Sequence, residues 1–349
     1  MELIRGLHNL RQRHRGCVAT IGNFDGVHRG HRAILDQLRR HANGEGLALT
    51  VVLFEPQPRE YFAGTQAPPR LTRLREKLRL LAEQGVEQVL CLPFNQRLRE
   101  LSGRDFIERV LVEGLDVRHL VVGDDFRFGC DRAGDFALLE ALGREHGYSV
   151  EHTHAFQLDD ERVSSSRVRT LLASGNFFQA AYLLGRPYRF EGRVVADRQL
   201  GRTLGVPTAN LPLPEGPLVL RGVYAVMVAR ESGELLPGAA NFGWRPTVGS
   251  QRPVLEVHLI DFSGDLYGER LTVLPCVRLR GELVFDGLEA LRTQLHRDVA
   301  VSRDYLSQAA EPDTFVEARY AGRPLKLATA PLSPPSNANT PSSAGVDQR

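Results

Sequence analysis

The stretch Thr20-Ile21-Gly22-Asn23-Phe24-Asp25-Gly26-Val27-His28-Arg29-Gly30-His31 constrains this chain more than any other. Before it, Cys17-Val18-Ala19 is apolar and reads as a buried strand. After it, Ala33-Ile34-Leu35 and Leu38 read as the apolar face of a helix. The two histidines then fall three apart in the first helical turn, on one face. A helix N-terminus carries partial positive charge and free N–H groups. Glycines at 22, 26 and 30 let a phosphate come close to the backbone. The turn therefore reads as a site for nucleotide phosphates, although it matches neither G-x-x-x-x-G-K-[ST] nor G-x-G-x-x-G. A tight connection alone would explain one capping histidine. It explains two histidines with Asn-Phe-Asp less well.

Strand and helix signals alternate through the first half. Leu47 to Phe54, Val86 to Leu92, His119 to Gly123 and Tyr148 to His152 read as strands. Arg70 to Gln84, Gly103 to Val112 and Gly134 to His146 read as helices. This βαβα order predicts an α/β domain with a doubly wound parallel sheet. Such sheets bind ligands beyond the carboxyl ends of their strands. The histidine turn lies at one such end, and Val122-Gly123-Asp124-Asp125-Phe126-Arg127-Phe128-Gly129 lies at another.

Two short helices follow, Ser165 to Leu172 with Ser164 as N-cap, and Phe177 to Leu184 ended by Gly185. Pro187 marks a boundary. Beyond it come strands, at Tyr188 to Val195, Gly222 to Ala229, Leu255 to Phe262 and Arg270 to Leu274. Frequent Gly and Pro between them suggest a small antiparallel β-barrel, followed by a terminal helix from about Gly287 to Leu306. We divide the chain into domains at 1–186 and 187–312. The Pro/Ser/Asn/Thr-rich residues 328–349 read as a disordered tail.

At 349 residues there is length for two domains, and 44 Lys plus Arg against 42 Asp plus Glu leaves no basic excess of the kind nucleic-acid binders carry. The four cysteines are scattered without zinc spacing or a disulfide framework. The charged N-terminus lacks a signal-peptide core, and no apolar run reaches membrane-spanning length. A cytoplasmic protein with small-molecule substrates, no nucleic acid and no membrane is expected. Oligomeric state is left open.

Arg162-Val163-Ser164-Ser165-Ser166-Arg167-Val168-Arg169 closes the first domain. Serine hydroxyls at a helix start can donate to phosphate oxygens, and an arginine one turn later can clamp the same group. A serine N-cap with surface arginines fits equally well.

With both clusters in view, the chain resembles the adenylyltransferase superfamily. More narrowly, Gly22 to His28, Val122 to Gly129 with Arg132-Ala133-Gly134-Asp135, and Leu184-Gly185-Arg186-Pro187-Tyr188 resemble the bacterial bifunctional riboflavin kinase/FAD synthetase family. So do Gly201-Arg202-Thr203-Leu204-Gly205-Val206-Pro207-Thr208-Ala209-Asn210, Gly222-Val223-Tyr224, Asn241 to Thr247 and Leu255 to Gly268. The resemblance covers residues 15 to 310 in order. It implies a first domain of nucleotidyltransferase type, with ATP as substrate, FMN as intermediate and FAD as product, and Mg2+ or another divalent cation.

In the first domain the resemblance implies attack of the FMN phosphate on the α-phosphate of ATP. His28 and His31 would donate to phosphate oxygens. Gly22, Asn23, Phe24, Asp25 and Gly30 would line the same turn, with Asp25 alternatively a cap. Ser164, Ser165 and Arg169 would hold the pyrophosphate end, Arg162 would bind ATP phosphate, and Asp125 would contact flavin. Gln57 stands after Phe54-Glu55-Pro56 where the family often has histidine.

In the second domain it implies phosphorylation of the riboflavin 5′-hydroxyl. Alternation puts Glu256 and His258 on one strand face, so Glu256 is the general-base candidate. An ordinary solvent-facing glutamate is the alternative. Thr208 and Asn210, two apart in an extended chain, would offer hard oxygens to magnesium, or merely form a turn after Pro207. Gly201 and Arg202 would wrap the nucleotide. Ala196-Asp197 replaces the family's His-Gly nearby. Trp244, Arg245, Asp261 and Tyr267 would lie toward the flavin, with Trp244 alternatively a core residue. Two other readings compete: an adenylyltransferase for another phosphorylated metabolite, and a flavin-binding protein with decayed catalysis.

Overall fold

The computed structural model describes residues 1–308 apart from 154–155, 197–199 and 248–249. The expected tail and Asp197 lie outside the described residues.

The first unit is a six-stranded sheet of β1 (Glu2–Arg5), β2 (Cys17–Ile21), β3 (Ala48–Glu55), β4 (Gln88–Pro93), β5 (Val117–Gly123) and β6 (Ser149–Thr153), in the order β1-β4-β3-β2-β5-β6. Every pairing is parallel. A parallel sheet must be covered on both faces, and all five residues of β2 are buried. Its helices are α1 (Arg29–Glu45), α2 (Pro58–Ala63), α3 (Leu74–Glu83), α4 (Gln96–Arg99), α5 (Gly103–Phe106) and α6 (Phe136–His146). Leu35, Leu38, Leu80 and Leu81 of α1 and α3 pack on one face. Phe106 and Leu139 of α5 and α6, with Ile107 and Leu111, pack on the other. From β2 the order runs outward through β3 and β4 on one side and through β5 and β6 on the other. The crevice where ligands bind such a sheet therefore opens between β2 and β5.

Two helices differ from expectation. The predicted Arg70–Gln84 helix starts only at Leu74, because the Asp25 carboxylate accepts the backbone N–H groups of Leu71 and Thr72. The predicted Gly103–Val112 helix passes into a π-helical turn from Ile107.

A small hairpin of β7 (Gln157–Leu158) and β8 (Glu161–Arg162) and the helices α7 (Ser165–Ala173) and α8 (Phe177–Leu184) lead to the second unit. It comprises β9 (Phe190–Arg193), α9 (Leu200–Thr203), β10 (Ala209–Pro212), β11 (Gly222–Ala229), β12 (Leu235–Thr247), β13 (Ser250–Leu259), β14 (Arg270–Arg280) and α10 (Leu288–Gln308). The strands run β10-β13-β12-β11-β14-β9, all antiparallel. A bridge between Val195 and Asn210 brings the two edges together, so the barrel is nearly closed. Leu306 of α10 covers Ala225, Met227, Leu274 and Cys276 on its outside.

The barrel interior does not stop at the barrel. Tyr224, Phe242, Leu255 and Val273 belong to one continuous core with Val168 and Leu172 of α7 and Leu183 and Leu184 of α8. The Phe177 ring meets Tyr224 edge-on at 5.8 Å.

Candidate active sites

The histidine turn leaves the carboxyl end of β2 at that crevice. His28 is the N-cap of α1 and His31 its third helical residue. Nδ1 of His28 accepts the His31 backbone N–H, and Nδ1 of His31 accepts that of His28, both at 3.3 Å. The rings stack with centroids 3.6 Å apart and planes 15° from parallel. Because each Nδ1 accepts, the proton of each neutral ring sits on Nε2. Burial lowers the His28 pKa to about 4, and the charges of Arg186, Arg169 and Arg162 add to this against the opposing pull of Asp25. Burial holds His31 well below the ordinary histidine range, with His28 and Lys77 adding to it. The turn thus presents two neutral Nε2–H donors at a helix N-terminus. Gly30 leaves room beside them: a Cβ there would press on the His28 ring at 3.1 Å and the Val163 carbonyl at 3.2 Å.

A cavity of about 1050 Å³ opens in front of this turn. Gly22, Asn23, Phe24, His28, Gly30 and His31 line one wall, and the Asn23 Oδ1 is buried without a partner among the described residues. Ser164, Ser165 and Arg162 line another. Ser164 caps α7, accepting the Arg167 N–H at 3.2 Å, and the Ser165 hydroxyl donates to the Asp25 carbonyl at 2.8 Å. Asp125 stands at the rim, where a hydrogen bond from Arg162 at 3.1 Å holds its carboxyl below the usual range.

Asp25 and Arg169 are not in this cavity. Asp25 is 3 % exposed, and its carboxylate takes the Leu71 and Thr72 N–H groups and the Arg169 guanidinium at 2.5 Å. Arg169 also donates to the Pro69 carbonyl. This pair holds the turn, and neither residue lines the cavity. Gln57 is likewise buried and caps α2 without lining the cavity.

The rest of the lining is largely aromatic. Phe54, Phe62, Phe94, Phe106, Phe126 and Phe128 belong to it, with Phe54 and Phe94 edge-on at 5.8 Å and Phe62 and Phe94 at 5.8 Å. Arg59, Arg99, Arg127 and Arg132 stand around them. Phe126, Arg127, Phe128 and Arg132 belong to the Val122–Asp135 stretch singled out in the sequence, whereas sequence reasoning missed Phe62, Phe94, Phe106, Arg59 and Arg99, which follow strand ends without a motif.

A second cavity, of about 790 Å³, lies at the barrel. Glu256 and His258 both line it, while their neighbours Leu255, Val257 and Leu259 turn into the core. Glu256 stands opposite Asn210 of β10 on one side and Asn241 of β12 on the other, and Asn241 Nδ2 lies 3.5 Å from its Oε2. Thr208, Asn210 and Gly201 share the lining. His258 Nδ1 pairs with the Pro207 carbonyl at 2.8 Å, and burial lowers its pKa.

Four expected residues do not line this cavity: Arg202, Trp244, Asp261 and Tyr267. Arg202 is exposed. Asp261 is paired with Arg303 of α10 at 2.9 Å, which holds its carboxyl below the usual range. Trp244 is half-buried, with the Arg221 guanidinium 5.7 Å from its ring. Tyr267 is 47 % exposed. Arg245 is a strand residue opposite Arg252, and its side chain lies outside the description. Arg280 and Asp298, ion-paired at 2.6 Å, line the cavity and had no sequence signal.

Residues 10–167 match a family model described as FAD synthetase, and residues 184–306 match one described as riboflavin kinase. The chain is 54% identical over 311 residues to a bifunctional riboflavin kinase/FMN adenylyltransferase of Pseudomonas fluorescens, covering 89% of this chain and 99% of the relative. It is 50% identical over 306 residues to that of Escherichia coli strain K12, covering 87% and 98%. A crystal structure described as a macrolide-efflux protein from Streptococcus pneumoniae aligns with a TM-score of 0.70 at 27% identity, covering 87% of this chain and 99% of the other.

Proposed function

The chain belongs to the family of bifunctional riboflavin kinase/FMN adenylyltransferases, and we propose that the histidine-turn cavity and the barrel cavity divide the two reactions between residues 1–186 and 187–312. The protein phosphorylates riboflavin to FMN with ATP, then joins FMN to the adenylyl group of a second ATP, giving FAD and pyrophosphate.

We assign adenylyl transfer to the histidine turn. An FMN phosphate oxygen attacks the α-phosphorus of ATP while the bond to pyrophosphate breaks. No protein nucleophile is needed, so the protein's work is positioning and charge stabilisation. The observation that carries this assignment is the reciprocal Nδ1 pairing of His28 and His31 at the head of α1, which leaves the Nε2 edge of each as the donor in a cavity whose lining also includes many phenylalanines. The donors suit phosphate oxygens and the phenylalanines suit an isoalloxazine ring.

We assign riboflavin phosphorylation to Glu256. Its carboxylate takes the 5′-hydroxyl proton as that oxygen bonds to the γ-phosphorus and ADP leaves. Asn241, at hydrogen-bond range, orients it. Thr208 and Asn210 fit Mg2+ as hard oxygen donors lining this cavity. Among the described residues no His, Cys, Asp and Glu cluster forms a dedicated cage, which suits an ion that arrives with ATP phosphates. When bound, the ion neutralises phosphate charge.

We place both reactions in the cytoplasm. All four cysteines are free thiols, the state a reducing compartment maintains. No described helix is long and apolar enough to cross a membrane.

The test is to incubate the purified protein with riboflavin, ATP and magnesium and separate the flavins. FMN followed by FAD is expected. FMN alone would overturn the adenylyl assignment, and neither product would overturn both.

A further inference from the structure

Arg186 lies in the peptide that joins α8 to the barrel, two residues past Leu184. Its guanidinium runs into the back of the histidine turn. Nη2 donates to the Gly26 carbonyl at 2.7 Å and Nη1 to the Val27 carbonyl at 3.2 Å. Nη1 also lies 3.4 Å from the carbonyl of Leu184. Gly26 and Val27 are the two residues immediately before His28.

That backbone needs holding. Phe24 has φ 47° and Val27 φ 39°, a region that side chains other than glycine's rarely occupy, least of all β-branched ones. Such a residue is costly and persists only where its surroundings over-determine it. Three later elements do so here. Thr72 Oγ1 accepts the Gly26 N–H at 3.0 Å, Ser165 holds the Asp25 carbonyl, and Arg186 takes the next two carbonyls. Thr72 and Ser165 belong to the α/β unit. Arg186 belongs to the junction.

The guanidinium is well matched to this task. Two adjacent carbonyls diverge, and a planar fork with separate N–H groups reaches both, whereas an ammonium is a single point. Burial lowers the Arg186 pKa to about 10, so it remains a cation at neutral pH.

We propose that Arg186 is a positioning residue for adenylyl transfer, fixing the strained Phe24–Val27 backbone so that His28 and His31 present their Nε2–H groups to phosphate. The inference rests on assigning those histidines to adenylyl transfer. It makes the α/β active site dependent on a residue at the seam with the barrel.

The test uses full-length Arg186→Met and Arg186→Lys, each assayed for both reactions. In Arg186→Met, kcat for FMN to FAD is expected to fall at least about tenfold, since small misplacements of reacting groups cost one to two orders of magnitude. The KM for FMN is expected to stay within about twofold, and so is riboflavin phosphorylation by the same molecules. Arg186→Lys is expected to recover part of kcat. A merely structural residue would lower both reactions together. Wild-type kcat in Arg186→Met, a parallel loss of both reactions, or a loss expressed only as a raised KM for FMN would overturn the inference. If Arg186→Met does not fold, Arg186→Lys decides: normal phosphorylation with reduced adenylyl kcat supports the proposal, and two normal reactions overturn it. Absence of FAD from the unsubstituted chain would instead remove the adenylyl assignment, and this inference with it.

Discussion

Nδ1 of His28 accepts the backbone N–H of His31, and Nδ1 of His31 accepts that of His28. One edge of each ring is used to start a helix, and the opposite edge is left as a donor. Capping and phosphate binding are therefore complementary duties of the same side chains. The reciprocal bonds also fix the tautomer, which burial then keeps uncharged.

His31→Ala removes a donor and the ring on which His28 stacks. FMN to FAD is expected to fall by about 10²-fold or more, the scale of losing a transition-state donor, while riboflavin still becomes FMN. Because the rings prop each other, adding His28→Ala should cost little more than either single change. Flavin separation from the three variants checks both points.

Glu256→Gln keeps the shape of the side chain and removes its capacity to take a proton. Riboflavin phosphorylation is expected to fall by about 10²–10⁴-fold, with added FMN still converted to FAD. Ordinary phosphorylation in this variant would remove Glu256 from the role of base.

Phe62 belongs to the aromatic lining yet is 63 % exposed, so its replacement leaves little void. Phe62→Ala is expected to raise the KM for FMN several-fold in the adenylyl reaction and to leave that for ATP near its original value. Stability should change by no more than about 0.5 kcal/mol, as for other surface positions. Steady-state kinetics and thermal melts test this.

Glu76, on α3, has its pKa raised to about 7 because it is buried. The folded protein therefore holds a proton that the unfolded chain, with an ordinary carboxyl, has lost above about pH 4.5. Stability from this group is intact below that pH and drains away as pH rises toward 7. Glu76→Gln should remove the loss, raising stability at pH 8 by up to about 3 kcal/mol and much less at pH 5. Melting temperatures of both proteins at the two pH values measure it.

Local features of both sites could be read along the chain. The His28–His31 spacing and the strand alternation at Glu256 and His258 need only a few consecutive residues, and the structure places all four side chains in the cavities. Asp25 could not be read this way. Its partners Leu71, Thr72 and Arg169 lie far along the chain, and only the folded turn shows that its carboxylate is already saturated. Much of the aromatic lining was hidden for the same reason, since Phe54 ends β3 while Phe94 and Phe106 lie apart in the β4–β5 crossover, with no common period. β12 was missed because Pro237, Gly238, Gly243 and Pro246 break any strand pattern, although partners on both sides hold it extended. β1 was too short at four residues to show a period.

The core that runs from α7 and α8 into the barrel bears on how such a chain could arise or be taken apart. The loop after Leu184 offers an easy place to cut, but the interior offers none. A split at that loop would leave each half with one wall of a common apolar interior facing water. The barrel thus depends for part of its interior on α7 and α8, which the sequence assigns to the other unit. A substitution at Leu183 would therefore be felt in the barrel, although it lies before the loop that joins the two.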